Sequence, residues 1–325
     1  MQLVATPDNP IPPGARVEIV RAADGVQLRT VRWVPQTALR GTVAVLTGRA
    51  EFIEKYFEVI AQLLSRGFAV AAMDWRGQGG SARPLKNSRK GHVDDFSLFE
   101  RDLDALIDDV LGPSCPQPWF ALCHSMGGAI MLDIAHAGRC PFERVVMTAP
   151  MIGIAGVRRP RGARILAEVL DTLGFGGAFA PGGGSTSITA MPFAGNTLTS
   201  DPVRYARSAD VVAAAPNLAL GWPTIGWVHA AFRLMKRFAD PDYPRNTNTP
   251  LLVIAAGDDE VTDTRATERF AARLRAGRLI VVEGAKHEIL MERDALRDQF
   301  WAAFDQFIPG IEAAKARSAR RMSPS

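Results

Sequence analysis

The five residues Cys123-His124-Ser125-Met126-Gly127, directly after the apolar run Trp119-Phe120-Ala121-Leu122, carry the first chemical signal in this chain. They nearly spell G-x-S-x-G, a sharp strand-to-helix turn that lifts a serine hydroxyl into open space. Small neighbours are required because the strand and helix backbones approach closely there, and Gly127 and Gly128 meet that requirement. Cys123 stands where the pattern has its first glycine, and its small side chain suits the end of a buried strand. A bare Ser-x-Gly-Gly is also an ordinary turn, and short patterns arise by chance. A hydroxyl is a poor nucleophile at its free pKa, so the deciding question is whether the chain also offers a base and an acid to orient it.

It does so near the C-terminus. Residues 250–257 read as a buried strand that runs into Asp258-Asp259-Glu260-Val261, and residues 278–283 read as another, followed by Gly284-Ala285-Lys286-His287. Serine, carboxylate and histidine thus come in that chain order, each just past a strand. This points to Ser125 as nucleophile and His287 as base. Residue type leaves the acid open among Asp258, Asp259 and Glu260, because only orientation separates adjacent carboxylates; those not used serve as turn or helix-cap residues. Cys123 is a rival nucleophile, but two residues before Ser125 it still lies in the strand and reads as packing.

Serine acyl transfer also needs donors for the developing oxyanion: the N–H after the nucleophile, and one from the loop after an earlier strand. Met126 supplies the first. The earlier strand is Thr42–Leu46, and in the following Thr47-Gly48-Arg49-Ala50-Glu51 the position belongs to Arg49. The Arg49 side chain has two readings, a partner for an anionic substrate group or a solvated or ion-paired loop residue, and the second is the commoner fate of a loop arginine.

The stretches Leu46-Thr47-Gly48-Arg49-Ala50-Glu51, Asp74-Trp75-Arg76-Gly77-Gln78-Gly79-Gly80-Ser81, His124-Ser125-Met126-Gly127-Gly128 and Gly284-Ala285-Lys286-His287 resemble the alpha/beta-hydrolase group that contains monoacylglycerol lipases, serine aminopeptidase-like proteins and bacterial lysophospholipases. Within that group the chain is most similar to lysophospholipases of the L-two type, through Gly48-Arg49 in place of His-Gly, Gly91-His92-Val93, and Pro216-Asn217-Leu218-Ala219-Leu220-Gly221-Trp222-Pro223-Thr224 before Trp227. The resemblance spans most of residues 15 to 307. Its spacing implies Asp259 as the acid, and its fold implies a helical cap inserted over the serine. It implies hydrolysis of a lipid ester such as a lysophospholipid or monoacylglycerol, with general carboxylesterase or aminopeptidase-like activity as the alternatives.

The loop Asp74 to Ser81 follows an apolar run at 68–73 and could be mistaken for a phosphate-binding loop. Its spacing gives neither G-x-G-x-x-G nor a P-loop lysine, so a tight turn shaping the mouth of the site is the better reading. The chain has 325 residues, 47% of them hydrophobic, enough for a full core as one enlarged domain or two. No run of about 18 apolar residues predicts a membrane span, and the first residues lack the basic start and apolar core of a signal peptide, so a cytoplasmic protein is expected. Cys115, Cys123 and Cys140 are too few, and wrongly spaced, for a disulfide framework or zinc site. Neither metal nor organic cofactor is expected.

Segments 16–20 and 26–34 read as an opening hairpin. Strands then alternate with helices near 53–65, 98–110, 126–137, 265–274 and 295–307, the pattern of a mainly parallel, doubly wound α/β sheet whose ligands bind beyond the strands' carboxyl ends. The alternation breaks between about 151 and 240. The expected organisation is therefore a first core part at 1–150, a cap at 151–240, a second core part at 241–310 and a basic, disordered tail at 311–325. The cap holds a glycine-rich stretch at 174–184 and helical periodicity at 198–215 and 222–238. There Trp222, Trp227, Phe232 and Met235 either line an acyl pocket or make core contacts.

The net charge is +4, with Arg158, Arg159, Arg161 and Arg164 clustered in the cap and Lys315, Arg317, Arg320 and Arg321 in the tail. These form a solvated helix face and tail, or draw the protein to anionic lipid as peripheral membrane contact. No nucleic-acid motif accompanies them. A non-catalytic lipid-binding protein on a hydrolase scaffold is the remaining alternative, and keeping serine, acid and histidine at three strand ends argues against it.

Overall fold

The computed structural model describes residues 2–37, 40–157 and 160–309. Its eight strands are β1 (Ala15–Arg21), β2 (Gln27–Trp33), β3 (Thr42–Leu46), β4 (Ala69–Met73), β5 (Trp119–His124), β6 (Arg144–Thr148), β7 (Leu251–Ala256) and β8 (Gly277–Val282). They form one sheet in the order β1-β2-β4-β3-β5-β6-β7-β8. β1 pairs antiparallel with β2 and β2 with β4, whereas all pairings from β4 to β8 are parallel. β3, β4 and β7 are buried along their whole length, as expected of parallel strands with helices on both faces.

Alternate residues of one strand serve opposite layers. Ala44 and Leu46 of β3 join Met73, Cys123 and Met147 in one core. Val43 and Val45 join Val70, Leu122, Val146 and Ile254 in the other. The parallel register sets Leu46 beside Cys123, His124 beside Thr148 and Ala256 beside Val282. The segments carrying residues 47–51, Ser125, Asp259 and His287 therefore leave the sheet along the carboxyl edge.

The helices expected from periodicity are present, and side chains start several of them. The 53–65 segment opens as a 3-10 turn, Ile53–Tyr56, where the Ile53 N–H donates to Asp74 Oδ1 at 3.0 Å, and becomes α-helical over Phe57–Ser65. The 98–110 segment is the helix Ser97–Leu106 continued by a π-turn, Ile107–Leu111. Between β6 and β7 the 198–215 periodicity becomes the helix Pro202–Ala214, because Asp201 accepts from the Val203 and Arg204 amides and Pro202 takes the first position. Likewise Thr224 accepts from the Trp227 amide and starts Ile225–Phe238 inside the predicted 222–238.

The helix Pro160–Leu170 carries Arg161 and Arg164 of the cluster read as a solvated helix face or a lipid contact, and was not placed by periodicity. It buries Ala167 but leaves Ile165, Leu166 and Val169 about half exposed, so it lacks the inward apolar face by which a core helix is found. Arg161 is exposed on this helix, and apolar side chains share the surface with it. Arg158, Arg159 and the tail residues Lys315, Arg317, Arg320 and Arg321 lie outside the described residues.

The Asp74–Ser81 loop folds around its own aspartate. The Asp74 carboxylate accepts from Arg29 Nε at 2.7 Å and from the Gly80 amide at 2.7 Å, and Arg29 also forks onto both oxygens of Glu54, all fully buried. Gly79 has φ +53, and a side chain there would overlap the Asp74 carboxylate. The loop is a structural knot, and its Gln78 side chain reaches towards the site.

Candidate active site

Ser125 sits between β5 and the helix Met126–His136 at φ 49, ψ −112, a conformation that L-residues rarely adopt. The turn is held from both sides. The Ser125 N–H donates to Thr148 O at 3.0 Å, while its carbonyl accepts from the Ala129 amide at 3.1 Å and the Met151 amide at 3.0 Å. A Cβ on Gly127 would collide with the Leu46 and Thr47 carbonyl oxygens, and one on Gly128 with Pro150. Cys123 is fully buried in the strand, and burial pushes its thiol well above the ordinary range, as suits a packing residue.

Three side chains meet at the sheet edge. His287 Nε2 lies 3.0 Å from Ser125 Oγ, and His287 Nδ1 lies 2.9 Å from Asp259 Oδ2. Asp259 is anchored further: Oδ1 accepts from the Val261 and Thr262 amides at 2.7 and 2.9 Å, and Oδ2 from Thr262 Oγ1 at 2.6 Å. Burial raises its pKa, but the hydrogen bonds from His287 and Thr262 outweigh it and leave the carboxyl below its usual value. An ionised Asp259 accepts the Nδ1 proton and so turns the Nε2 lone pair to the serine hydroxyl. Asp258 and Glu260 are exposed, so orientation separates the three adjacent carboxylates.

The loop after β3 is clamped around Arg49. The Gly48 N–H donates to Glu51 Oε2 at 2.5 Å and the Ala50 N–H to Gln78 Oε1 at 3.1 Å. Gln78 Nε2 in turn donates to Gly48 O at 2.7 Å. The amides on either side of Arg49 are thus engaged by protein, with the Arg49 N–H between them. Met126 opens its helix, so its N–H has no carbonyl one turn back.

Beneath this loop lies a buried charged cluster that the sequence did not disclose. Lys55 Nζ donates to Glu51 Oε1 at 2.9 Å and to Glu288 Oε1 at 2.5 Å, and Tyr56 Oη donates to Glu51 Oε2 at 2.7 Å. Burial opposes ionisation of Glu51, but Lys55, helped by the hydrogen bond from Tyr56, overcomes it and draws the carboxyl down to about 2. His124 Nδ1 faces Thr148 O at 3.2 Å, and its ring lies 4.8 Å from that of His287. Burial pulls His124 down to about 4 and keeps it neutral. Gln78 and Glu51 do stand in the glycine-rich and strand-end segments singled out above; nothing local in sequence ties Lys55 to Glu288.

A cavity of about 310 Å³ opens over Ser125, walled by Met151, Ile154, Ile188, Trp222, Trp227 and Val261. Of the four apolar residues weighed as pocket lining, Trp222 and Trp227 face it. Phe232 and Met235 instead pack in the core beside the sheet, because the helix Ile225–Phe238 is rooted there. The Arg49 side chain also departs from expectation: it is neither solvated nor ion-paired, but donates from Nη2 to Gly221 O at 2.5 Å and lies 5.4 Å from the Trp227 ring centre. A larger groove of about 670 Å³ borders the outer side of the Asp259 loop and does not include Ser125 or His287.

A serine hydrolase family described as Serine aminopeptidase, S33 matches residues 37–294. The chain is 35% identical over 288 residues to lysophospholipase L2 of Escherichia coli K12, covering 84% of this chain and 82% of that protein. It is 27% identical to the monoacylglycerol lipase of Mycolicibacterium smegmatis, covering 82% and 88%. Among solved structures, a monoglyceride lipase variant from Saccharomyces cerevisiae superposes with a TM-score of 0.69 at 20% identity, covering 92% of this chain and 97% of the other. A carboxyl esterase from Bacillus coagulans gives 0.72 at 19%, covering 91% and 98%. At those identities the structural likeness speaks for the fold.

Proposed function

The chain belongs to the serine aminopeptidase S33 family of alpha/beta-hydrolases, and from that premise we propose that it is a lysophospholipase working through Ser125. It is a serine hydrolase of the lipid-esterase kind. The observation that carries the assignment of residues is the Ser125–His287–Asp259 relay at the base of a largely apolar cavity. In the proposed mechanism His287 Nε2 takes the Ser125 proton as Oγ attacks the ester carbonyl, and Asp259 holds the imidazolium that forms. The Arg49 and Met126 N–H groups receive the oxyanion. His287 then protonates the departing glycerol oxygen, and water, deprotonated by the same imidazole, releases the fatty acid.

Residues 151–240 act as the cap over this site, on a core formed by 1–150 and 241–310. No helix among the described residues is long and apolar enough to cross a membrane. Substrate is drawn instead from a lipid surface: Ile165, Leu166 and Val169 of Pro160–Leu170, followed by Leu173 and Phe175, give the cap an exposed apolar edge beside Arg161. We place the protein at the cytoplasmic face, where the free thiols of Cys115, Cys123 and Cys140 stay reduced. Sedimentation with anionic vesicles at low and high salt tests this contact, and no binding at low salt overturns it.

The test of function is fatty-acid release from lysophospholipids, monoacylglycerols and short p-nitrophenyl esters by wild type and Ser125→Ala. Preference for lysophospholipids, lost in the variant, is the expected result. Turnover of short esters alone would remove the lysophospholipase assignment, and equal rates in the two proteins would remove Ser125.

A further inference from the structure

Arg49 has a side chain that the hydrolytic chemistry leaves unused. The reaction draws on its main-chain N–H, which any residue except proline supplies. The guanidinium runs away from the loop to the wall built by the cap, where it meets Gly221 O and the Trp227 ring. Gly221, Trp227 and Arg49 all line the cavity over Ser125, so the cation is set into the wall of the substrate space. Gly91 makes room for it: a Cβ there would stand 2.8 Å from Arg49 Nη2 and 3.3 Å from Nε.

This charge is uncompensated. Arg29 pairs with Glu54 and Asp74, Arg76 with Asp24 and Asp102, and Arg297 with Glu58, whereas Arg40 and Arg83, like Arg49, donate to main-chain carbonyls; of these three, Arg49 is the one that lines the cavity over Ser125. No carboxylate among the described residues pairs with Arg49, and its Nε is buried without an acceptor. Burial alone acts on it, drawing the guanidinium down to about 10. An unpaired cation in such a wall is costly to the empty protein and favours the arrival of an anion. The planar fork of an arginine matches phosphate oxygens in particular.

We propose that Arg49 is a specificity-determining residue whose guanidinium binds the head-group phosphodiester of the lipid ester while its own N–H receives the oxyanion. This rests on the lipid-ester reading of the site and names the class of lipid. The glycerol backbone separates ester carbonyl from phosphate, and the Arg49 side chain separates the two groups that would meet them. A monoacylglycerol offers only a hydroxyl at that position and leaves the guanidinium unpaired, so the site discriminates in favour of the phospholipid.

The experiment compares kcat/KM for lysophosphatidylethanolamine and for a monoacylglycerol of the same acyl chain in wild type, Arg49→Gln and Arg49→Lys, each of which keeps the backbone N–H. The ratio of the two values is expected to fall about 10- to 100-fold in Arg49→Gln, as for loss of a charge-assisted hydrogen bond, and less in Arg49→Lys. An unchanged ratio, with both substrates falling together, would show that the side chain only props the loop and would overturn the proposal. A second arm follows p-nitrophenyl butyrate turnover with added glycerophosphoethanolamine or inorganic phosphate. Inhibition of wild type by glycerophosphoethanolamine, relieved in Arg49→Gln, supports the assignment. Equal inhibition of wild type and Arg49→Gln overturns it, and inorganic phosphate matching the diester overturns the head-group source. If wild type cleaves short esters but neither lipid, while that relief persists, the lysophospholipase reading fails and the anion site stands.

Discussion

Asp259 Oδ2 lies 2.9 Å from His287 Nδ1, whereas the adjacent Asp258 carboxylate is turned to solvent. One peptide unit thus separates a buried carboxylate that faces the imidazole from one at the surface. Asp259→Asn should lower kcat by about 10³–10⁴, because an amide no longer favours the tautomer with its lone pair towards Ser125. Asp258→Asn should stay within about twofold of wild type. Steady-state kinetics on a p-nitrophenyl ester checks both, and equal losses would reject the assignment of the acid.

Ser125 is held at positive φ, a strain of about 1–3 kcal/mol. Ser125→Ala and Ser125→Gly both remove the hydroxyl, but only glycine relieves the backbone. Glycine costs about 0.5–1 kcal/mol more than alanine in a regular element through the entropy of the unfolded chain. The Gly variant should nevertheless be the more stable of the two, by about 1 kcal/mol in chemical denaturation. A less stable Gly variant would mean that the elbow stores no strain.

Glu51 Oε2 holds the Gly48 amide, and Oε1 holds Lys55. In Glu51→Gln the amide can present one oxygen, and whichever way it turns, an NH₂ group faces either the Gly48 N–H or the Lys55 ammonium. The loop carrying the Arg49 N–H should loosen, lowering kcat about 10²-fold, the scale of a lost oxyanion donor, with a smaller change in KM. Losses confined to KM would assign Glu51 to substrate binding instead.

His124 is buried and its pKa lies at about 4 rather than the ordinary 6.5. Between those values the unfolded chain binds the proton more readily than the folded one, so stability rises with pH across that window. The contribution is complete above about 6.5 and is lost as pH falls towards 4, up to about 3 kcal/mol in all. Glu51, drawn down to about 2 from 4.5, acts in the same direction but in the lower window between those values. His124→Gln should flatten the fall in melting temperature between pH 6.5 and 4.5; an unchanged slope would show that His124 is not the titrating group.

The α/β architecture was legible in the chain because periodicity is local. Apolar runs such as Thr42–Leu46 and Leu251–Ala256 read directly as buried strands, and the carboxyl ends of those strands located the segments that hold Arg49, Ser125, Asp259 and His287. Helical spacing also located Ile225–Phe238. It could not say that Trp227 looks into the cavity while Met235 of the same helix looks into the core, since periodicity defines a face and not what lies opposite it. The helix Pro160–Leu170 was passed over although Ile165, Leu166, Val169 and Leu170 recur at helical spacing, because the region was read by its arginines.

What the sequence alone determined was therefore the set of elements and the serine, carboxylate and histidine at their ends. Tertiary structure decided which of three neighbouring carboxylates meets the imidazole. It brought Lys55 within hydrogen-bonding distance of Glu288, 233 positions away, and buried the Arg49 guanidinium without a counter-ion. Those outcomes depend on side-chain direction and on the solvent excluded when separate elements pack, and neither is encoded in the spacing of residues along a single element.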